Sequence, residues 1–289
     1  MRLDEFDPNS IDVEDQRGSG GRGFPMGSGG KVGCGTLVVA LVLSYVLGVD
    51  PGQLLGGMQQ IAPPEQSGGR VAGTNASESC KVDQASLESC NALSSLNKTW
   101  DPVFAAAKIP FKHPGLNFYQ NVGNSGCGSA QSAMGPFYCP EDQKIYLDTD
   151  FYRQMDEELG ASGQFARDYV VAHEYGHHIQ KMTGVSDQIR SAQSQNPRAA
   201  NQLSVRLELQ ADCYAGVWAG KNKDRLDPGD MESGLNAAQK IGDDNLMRSA
   251  GRNPNEAAFT HGSSAQRMEA LRRGLQSGDD SVCDSFMQS

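Results

Sequence analysis

The chain has 289 residues, enough for one large domain or two small ones, and its 38% hydrophobic content is ordinary for a globular protein. A formal net charge of −10 excludes a nucleic-acid partner, because a phosphate backbone demands dense Lys and Arg. Only five histidines are present, so any cluster of them is informative.

Residues 1–31 are charged and Gly-rich (RGSGGRGFPMGSGGK at their end), with too little apolar content to build a core; they read as a disordered cytoplasmic tail. Residues 32–49, VGCGTLVVALVLSYVLGV, carry no charge and approach the roughly 17–25 residues that cross a membrane as a helix. No small-x-small cleavage site closes the run, which favours one uncleaved transmembrane anchor over a signal peptide. Arg17, Arg22 and Lys31 precede it and Asp50 follows it. That bias predicts a single-pass protein of the bacterial inner membrane, N-terminus cytoplasmic and C-terminal domain periplasmic. Residues 50–79, rich in Gly, Pro, Ser and Gln, read as a linker, so the folded domain is expected over 80–289.

Six cysteines lie beyond the apolar run, an even number that suits disulfides in an oxidising compartment. Fifteen pairings are possible; short loops favour Cys80–Cys90 and Cys127–Cys139, leaving Cys213–Cys283. Leu87, Leu93, Leu96, Trp100 and Phe104 follow at helical spacing. LNFYQ, GPFYC and KIYLD, between residues 116 and 148, read as short strands of a small antiparallel sheet. From residue 150 onward the pattern is helical. The expected fold is therefore α+β and mainly helical, with that sheet packed ahead of the helix carrying HEYGH.

HEYGH, residues 173–177, carries the chemistry. His173 and His177 are four apart, so on a helix both imidazoles leave one face and can reach one Zn²⁺ at about 2.0–2.1 Å. Glu174 sits beside the first ligand, placed to take a proton from a water whose pKa zinc lowers toward ~7. Ser162 is a candidate cap for this helix and Gly184 its terminator. Such a motif also arises by chance, so a third ligand decides the matter. RLELQADCYAGVWAGK, residues 206–221, supplies Glu208 as an oxygen ligand and, one turn on, Asp212 to accept the free N–H of a ligating histidine. Gly176, Ala211, Ala215 and Gly216 would let the two helices approach closely. In THGSSAQRMEALRRGL, residues 260–275, His261 is a candidate for stabilising an oxyanion, ahead of a helix carrying Arg267. His178 points to another side of its helix, toward the surface or a backbone carbonyl, and His113 has no partner at ligand spacing.

HEYGH, ELQAD and the H-x5-R of 261–267 together resemble the gluzincin clan of zinc peptidases. More closely, the chain resembles the bacterial family known as putative neutral zinc metallopeptidases, over the VEDxRG-type tail, the GxGTL run, FYCPEDQKIYLD and these motifs. The resemblance implies a zincin-like fold and one Zn²⁺ per chain held by His173, His177 and Glu208. It implies Glu174 as general base, Asp212 as the orienting carboxylate, and a peptide or protein substrate. ELQAD and the third motif are also similar to membrane proteases that process prenylated proteins. Those usually have His-Pro where this chain has His261-Gly262. In this clan an edge strand beside the zinc helix pairs with extended substrate, a role expected here for Ile145–Asp148. Two other readings stay open at this point: a catalytically silent zinc-binding scaffold, and a zinc amidase or esterase acting on cell-envelope material.

Overall fold

A computed structural model describes residues 1–18 and 75–288. In chain order the elements are β1 (Val13–Asp15), α1 (Ala76–Ser79), α2 (Gln84–Ala107), β2 (Gly115–Tyr119), β3 (Val122–Ser125), β4 (Gly128–Gln131), β5 (Phe137–Cys139), β6 (Lys144–Asp148), α3 (Asp150–Glu157), α4 (Gln164–Met182), α5 (Val185–Gln195), α6 (Ala200–Lys221), α7 (Asp230–Lys240), α8 (Asp243–Ser249), α9 (Ser264–Ser277) and α10 (Ser285–Gln288). The fold is α+β and mainly helical, as the sequence predicts.

The sheet differs from expectation. Its order is β1-β2-β6-β5, with β1/β2 and β2/β6 parallel and only β5/β6 antiparallel. Strands β3 and β4 form a separate antiparallel pair. Parallel strands need cover on both faces, and β2 has it: every residue from Gly115 to Tyr119 is buried. Leu116, Phe118, Ile145 and Leu147 face the main helical core, while Tyr119 and Tyr146 form a second cluster with Ala130 and Cys139. KIYLD is thus an inner strand, with β2 along its whole length and β5 against Lys144–Tyr146, and not the edge strand expected for it. The edge strands of this sheet, among the described residues, are β1 and β5.

The N-terminal reading is corrected over residues 1–18. Met1, Phe6 and Ile11 are buried in the main core, and β1 registers Val13 opposite Leu116. Arg17 is 8% exposed; it pairs with Asp15 at 2.5 Å and donates to Ser86 Oγ at 2.6 Å and to the Ser79 carbonyl at 3.0 Å. A segment with few apolar residues is ordered here because each one lands in a hole on the domain and the Arg17 charge is fully partnered. Folded structure also begins ahead of Cys80, in α1, capped by Asn75. The expected span at 32–49 lies outside the described residues, as does most of the expected linker. No helix among the described residues is long and apolar enough to cross a membrane.

Both flanks of residues 19–74 belong to one packed unit. In cells lacking Cys34, Glu5→Cys and Glu232→Cys are therefore expected to react with a membrane-impermeant maleimide from the same side. Labelling of only one of them would mean that the β1–β2 pairing does not form in the membrane-associated protein.

Three disulfides staple the unit: Cys80–Cys90, Cys127–Cys139 and Cys213–Cys283, the pairing expected from loop lengths. The last closes the longest loop and joins α6 to the C-terminal end.

Candidate metal centre

Helix α4 carries HEYGH through the core. It begins after Gly163 and stops at Thr183, so Gly163 at φ 110° takes the capping position expected for Ser162. Gly184, at φ 80°, leads into α5. The helix is buried along most of its length, including Phe165, Tyr169, Ala172 and Gly176. A Cβ at Gly176 would lie 2.8 Å from the Ala211 Cα and carbonyl oxygen, so α4 touches the α6 backbone there. His173 and Glu208 each sit three residues before that contact, which is why they meet. Gly216 has a different partner from the one expected. A Cβ there would lie 2.1 Å from the Leu271 carbonyl of α9, and one at Gly274 would lie 2.0 Å from that of Cys213. This second close approach brings Arg267 onto α6.

His173, His177 and Glu208 offer ligand atoms that all lie within 4.8 Å of one another. His173 Nε2 is 3.1 Å from Glu208 Oε2, and His177 Nε2 is 3.5 Å from Glu208 Oε1. Four ligands at about 2.0–2.1 Å around a tetrahedral ion stand ~3.3 Å apart, so the donor set fits zinc. The ring nitrogens turned away from this point are already engaged. His173 Nδ1 meets Asp212 Oδ1 at 2.8 Å, and His177 Nδ1 meets Gln180 Oε1 at 2.9 Å. Each acceptor fixes an Nδ1–H tautomer and leaves Nε2 for a metal. Glu174 is 7% exposed, and its charge is felt at His177.

Asp212 is fully buried and satisfied four times, by His173 Nδ1, Tyr169 Oη (2.5 Å), and Arg267 Nε (2.8 Å) and Nη2 (2.9 Å). Burial opposes its ionisation, but the Arg267 charge and the His173 contact outweigh that and hold its pKa down at about 2. Burial likewise disfavours a charged His173; Asp212 and Glu208 overcome this and raise its pKa to about 10. Zinc needs the neutral imidazole, so loading releases protons and weakens as pH falls. Glu208 is held well below the carboxylate range, against its burial, chiefly by the charges of His177 and His261.

His261 stands close enough to Glu208 for its pKa to be raised by that charge against the effect of burial, with help from Asp243. Asp243 Oδ2 accepts the backbone N–H of Thr260, His261 and Gly262 at 2.7, 2.7 and 3.1 Å, and Oδ1 lies 3.3 Å from His261 Nδ1. His113 pairs with Asp101 at 2.7 Å, away from the metal ligands. His178, expected near the surface or on a carbonyl, is fully buried and bonded to the Lys112 carbonyl. Burial pushes its pKa down to about 4.

With this geometry in place, comparison with known proteins gives the family. The profile of the family described as "Putative neutral zinc metallopeptidase" matches residues 4–286. The chain belongs to this family. It is 41% identical to the uncharacterized protein YpfJ of Escherichia coli strain K12 over 291 residues, covering 97% of each chain. It is 37% identical to the uncharacterized protein Rv2575 of Mycobacterium tuberculosis strain H37Rv over 261 residues, 84% of this chain and 85% of that one. No solved structure matches it significantly. The metallopeptidase family implies zinc, and the donor triangle above is where this member would hold it.

Sequence reasoning missed Gln180, Asp243 and Tyr169, and left the role of Arg267 open. Gln180 had a signal, since it lies three residues after His177 on the same helix face. Asp243 had none, because it sits at a loop-to-helix start far from any motif.

Proposed function

We propose that the chain is a zinc-dependent peptidase that hydrolyses peptide bonds, with Glu174 as general base. The observation that carries this is the His173–His177–Glu208 triangle, with Glu174 following its first member in the chain. His177 and Glu208 keep 19% and 16% of their side chains exposed, which leaves a side open to substrate, as a catalytic site requires and a closed structural site does not. Zinc, when bound, supplies Lewis acidity that polarises a carbonyl and eases deprotonation of a water. Asp212 and Gln180 hold the two imidazoles in the ligating tautomer. Glu174 takes the proton from the attacking water and passes it to the departing amine. His261, anchored through Nδ1 by Asp243 and 31% exposed, is placed to donate to the oxyanion as charge develops. Arg267 balances the Asp212 charge and so keeps that carboxylate ionised.

Hydrolysis of a mixed peptide library by the full chain tests the reading. Activity that disappears with a chelator and returns with about one equivalent of zinc is the expected result. Zinc-loaded protein that cleaves nothing would leave a binding protein with a peptidase-like site.

Three disulfides support a proposal that the domain works in an oxidising, extracytoplasmic compartment. Membrane attachment through residues 32–49 is part of the same proposal, with residues 1–18 on the domain's side.

A further inference from the structure

Away from the metal centre, the surface holds a concavity built of cations and hydroxyls. Its volume is about 280 Å³, and it lies between α2 and the C-terminal end of α6, with Asp4 of the N-terminal segment at its side. Lys221 ends α6, about 20 Å along that helix from Glu208, so the cavity and the metal ligands are separate. Trp218 Nε1 donates to Ser95 Oγ at 3.1 Å and Asn222 Nδ2 to Thr99 Oγ1 at 3.0 Å, which ties the two helices together here. Ser94 also lines the cavity. It is 2% exposed, and its hydroxyl meets no hydrogen-bond partner among the described residues. The large majority of buried polar side-chain atoms have one, so this lining favours a polar occupant.

The charge is as distinctive as the shape. Lys98, Lys221 and Arg225 line the cavity in a chain whose net charge is −10. Arg225 Nη2 pairs with Asp4 Oδ2 at 2.9 Å, whereas Lys98 and Lys221 stand in no ion pair among the described residues. The carbonyl end of α6 contributes only about half a negative charge. With Asp4 it does not offset three cations, and the excess selects an anion.

Asp4 narrows the choice of anion. Its side chain is 63% exposed, and Arg225 engages only one of its oxygens. An ionised carboxylate accepts hydrogen bonds and donates none, so it repels an anion that has no hydrogen to give. Sulfate has none at neutral pH, whereas hydrogen phosphate keeps one. A phosphate monoester loses its last hydrogen near pH ~6 and so offers Asp4 little.

We propose that this cavity is a binding site for free hydrogen phosphate. Lys98, Lys221 and Arg225 supply the charge, and Asp4 accepts the phosphate hydrogen and so favours phosphate over sulfate and over monoesters. The site does not depend on the peptidase reading.

Isothermal titration of the zinc-loaded full chain with inorganic phosphate, sulfate and glycerol 3-phosphate tests it. The expected result is about one phosphate per chain with a Kd at or below roughly 1 mM, and at least about threefold weaker binding of the other two anions. Lys98→Gln and Lys221→Gln, at unchanged Tm, should each weaken phosphate about tenfold, the loss of one charge-assisted hydrogen bond. Asp4→Asn should tighten sulfate and erase the preference. No phosphate binding at about 10 mM would overturn the proposal. So would binding that both lysine variants leave unchanged, or binding that disappears when zinc is removed, because the phosphate would then sit elsewhere. Sulfate or glycerol 3-phosphate bound as tightly as phosphate by the wild type would overturn the assignment to free phosphate and the role of Asp4.

Discussion

Glu208→Ala should strip the chain of zinc, whereas Glu174→Gln should keep about one zinc per chain and lose turnover. The two carboxylates differ in what surrounds them. Glu208 faces both ligand imidazoles at 3.1 and 3.5 Å, so its removal takes away one of three ligands and the negative charge that gathers them. Two histidines alone then hold the ion weakly. Glu174 belongs to no ligand triangle among the described residues. Glutamine there preserves shape but cannot accept a proton, and loss of a general base costs about 10²–10⁴ in kcat. Elemental analysis of both purified variants, beside a peptide hydrolysis assay, reads the difference. Full zinc retention in Glu208→Ala would show that the ligand assignment is wrong. Zinc loss in Glu174→Gln would make that residue a ligand instead of a base.

Arg267→Met should be the most destabilising single change near the site, and the double variant Arg267→Met/Asp212→Leu should recover much of the loss. Arg267 is 3% exposed and makes two contacts to Asp212, which has no exposed surface. Deleting one partner of such a pair leaves a buried charge uncompensated and costs about 3–5 kcal/mol. At about 2–4 °C per kcal/mol for a domain of this size, the Tm shift is easily measured. Removing both charges removes that penalty but also the acceptor of His173 Nδ1, so stability should return while zinc affinity stays about 10–100-fold down. A double variant as unstable as the single one would mean that the pair matters through packing and not charge. The same carboxylate gives an acid limit. Asp212 has a depressed pKa in the folded chain, so its contribution is complete above the ordinary carboxylate range and is lost as pH falls from about 4 toward about 2.

What the sequence by itself determined was the part of the site encoded at short range. His173 and His177 lie one turn apart, as do Glu208 and Asp212, so helix periodicity alone places each pair on one face. The cysteine pairing was equally local for two of the three bonds, and the third followed by remainder. His178 was correctly turned away from the ligand face, but the sequence holds no record of what that side meets. It meets Tyr138, some forty positions earlier, because the sheet folds β5 against α4. Asp243 reaches His261 only through the α8 start, and Arg267 reaches Asp212 only because Gly216 and Gly274 let α6 and α9 close to backbone contact. The strand order was illegible for the same reason. Three aromatic segments in a row suggest a meander, whereas the parallel β2–β6 pairing puts KIYLD inside the sheet and leaves β5 at one of its two edges. Residues 1–18 were misread because composition measures how much apolar surface a segment carries, not whether a distant groove is shaped to receive it. Local spacing determined which side chains can act together on one helix; only tertiary packing decided which helices, strands and buried charges stand behind them, since those contacts join residues whose separation along the chain carries no period.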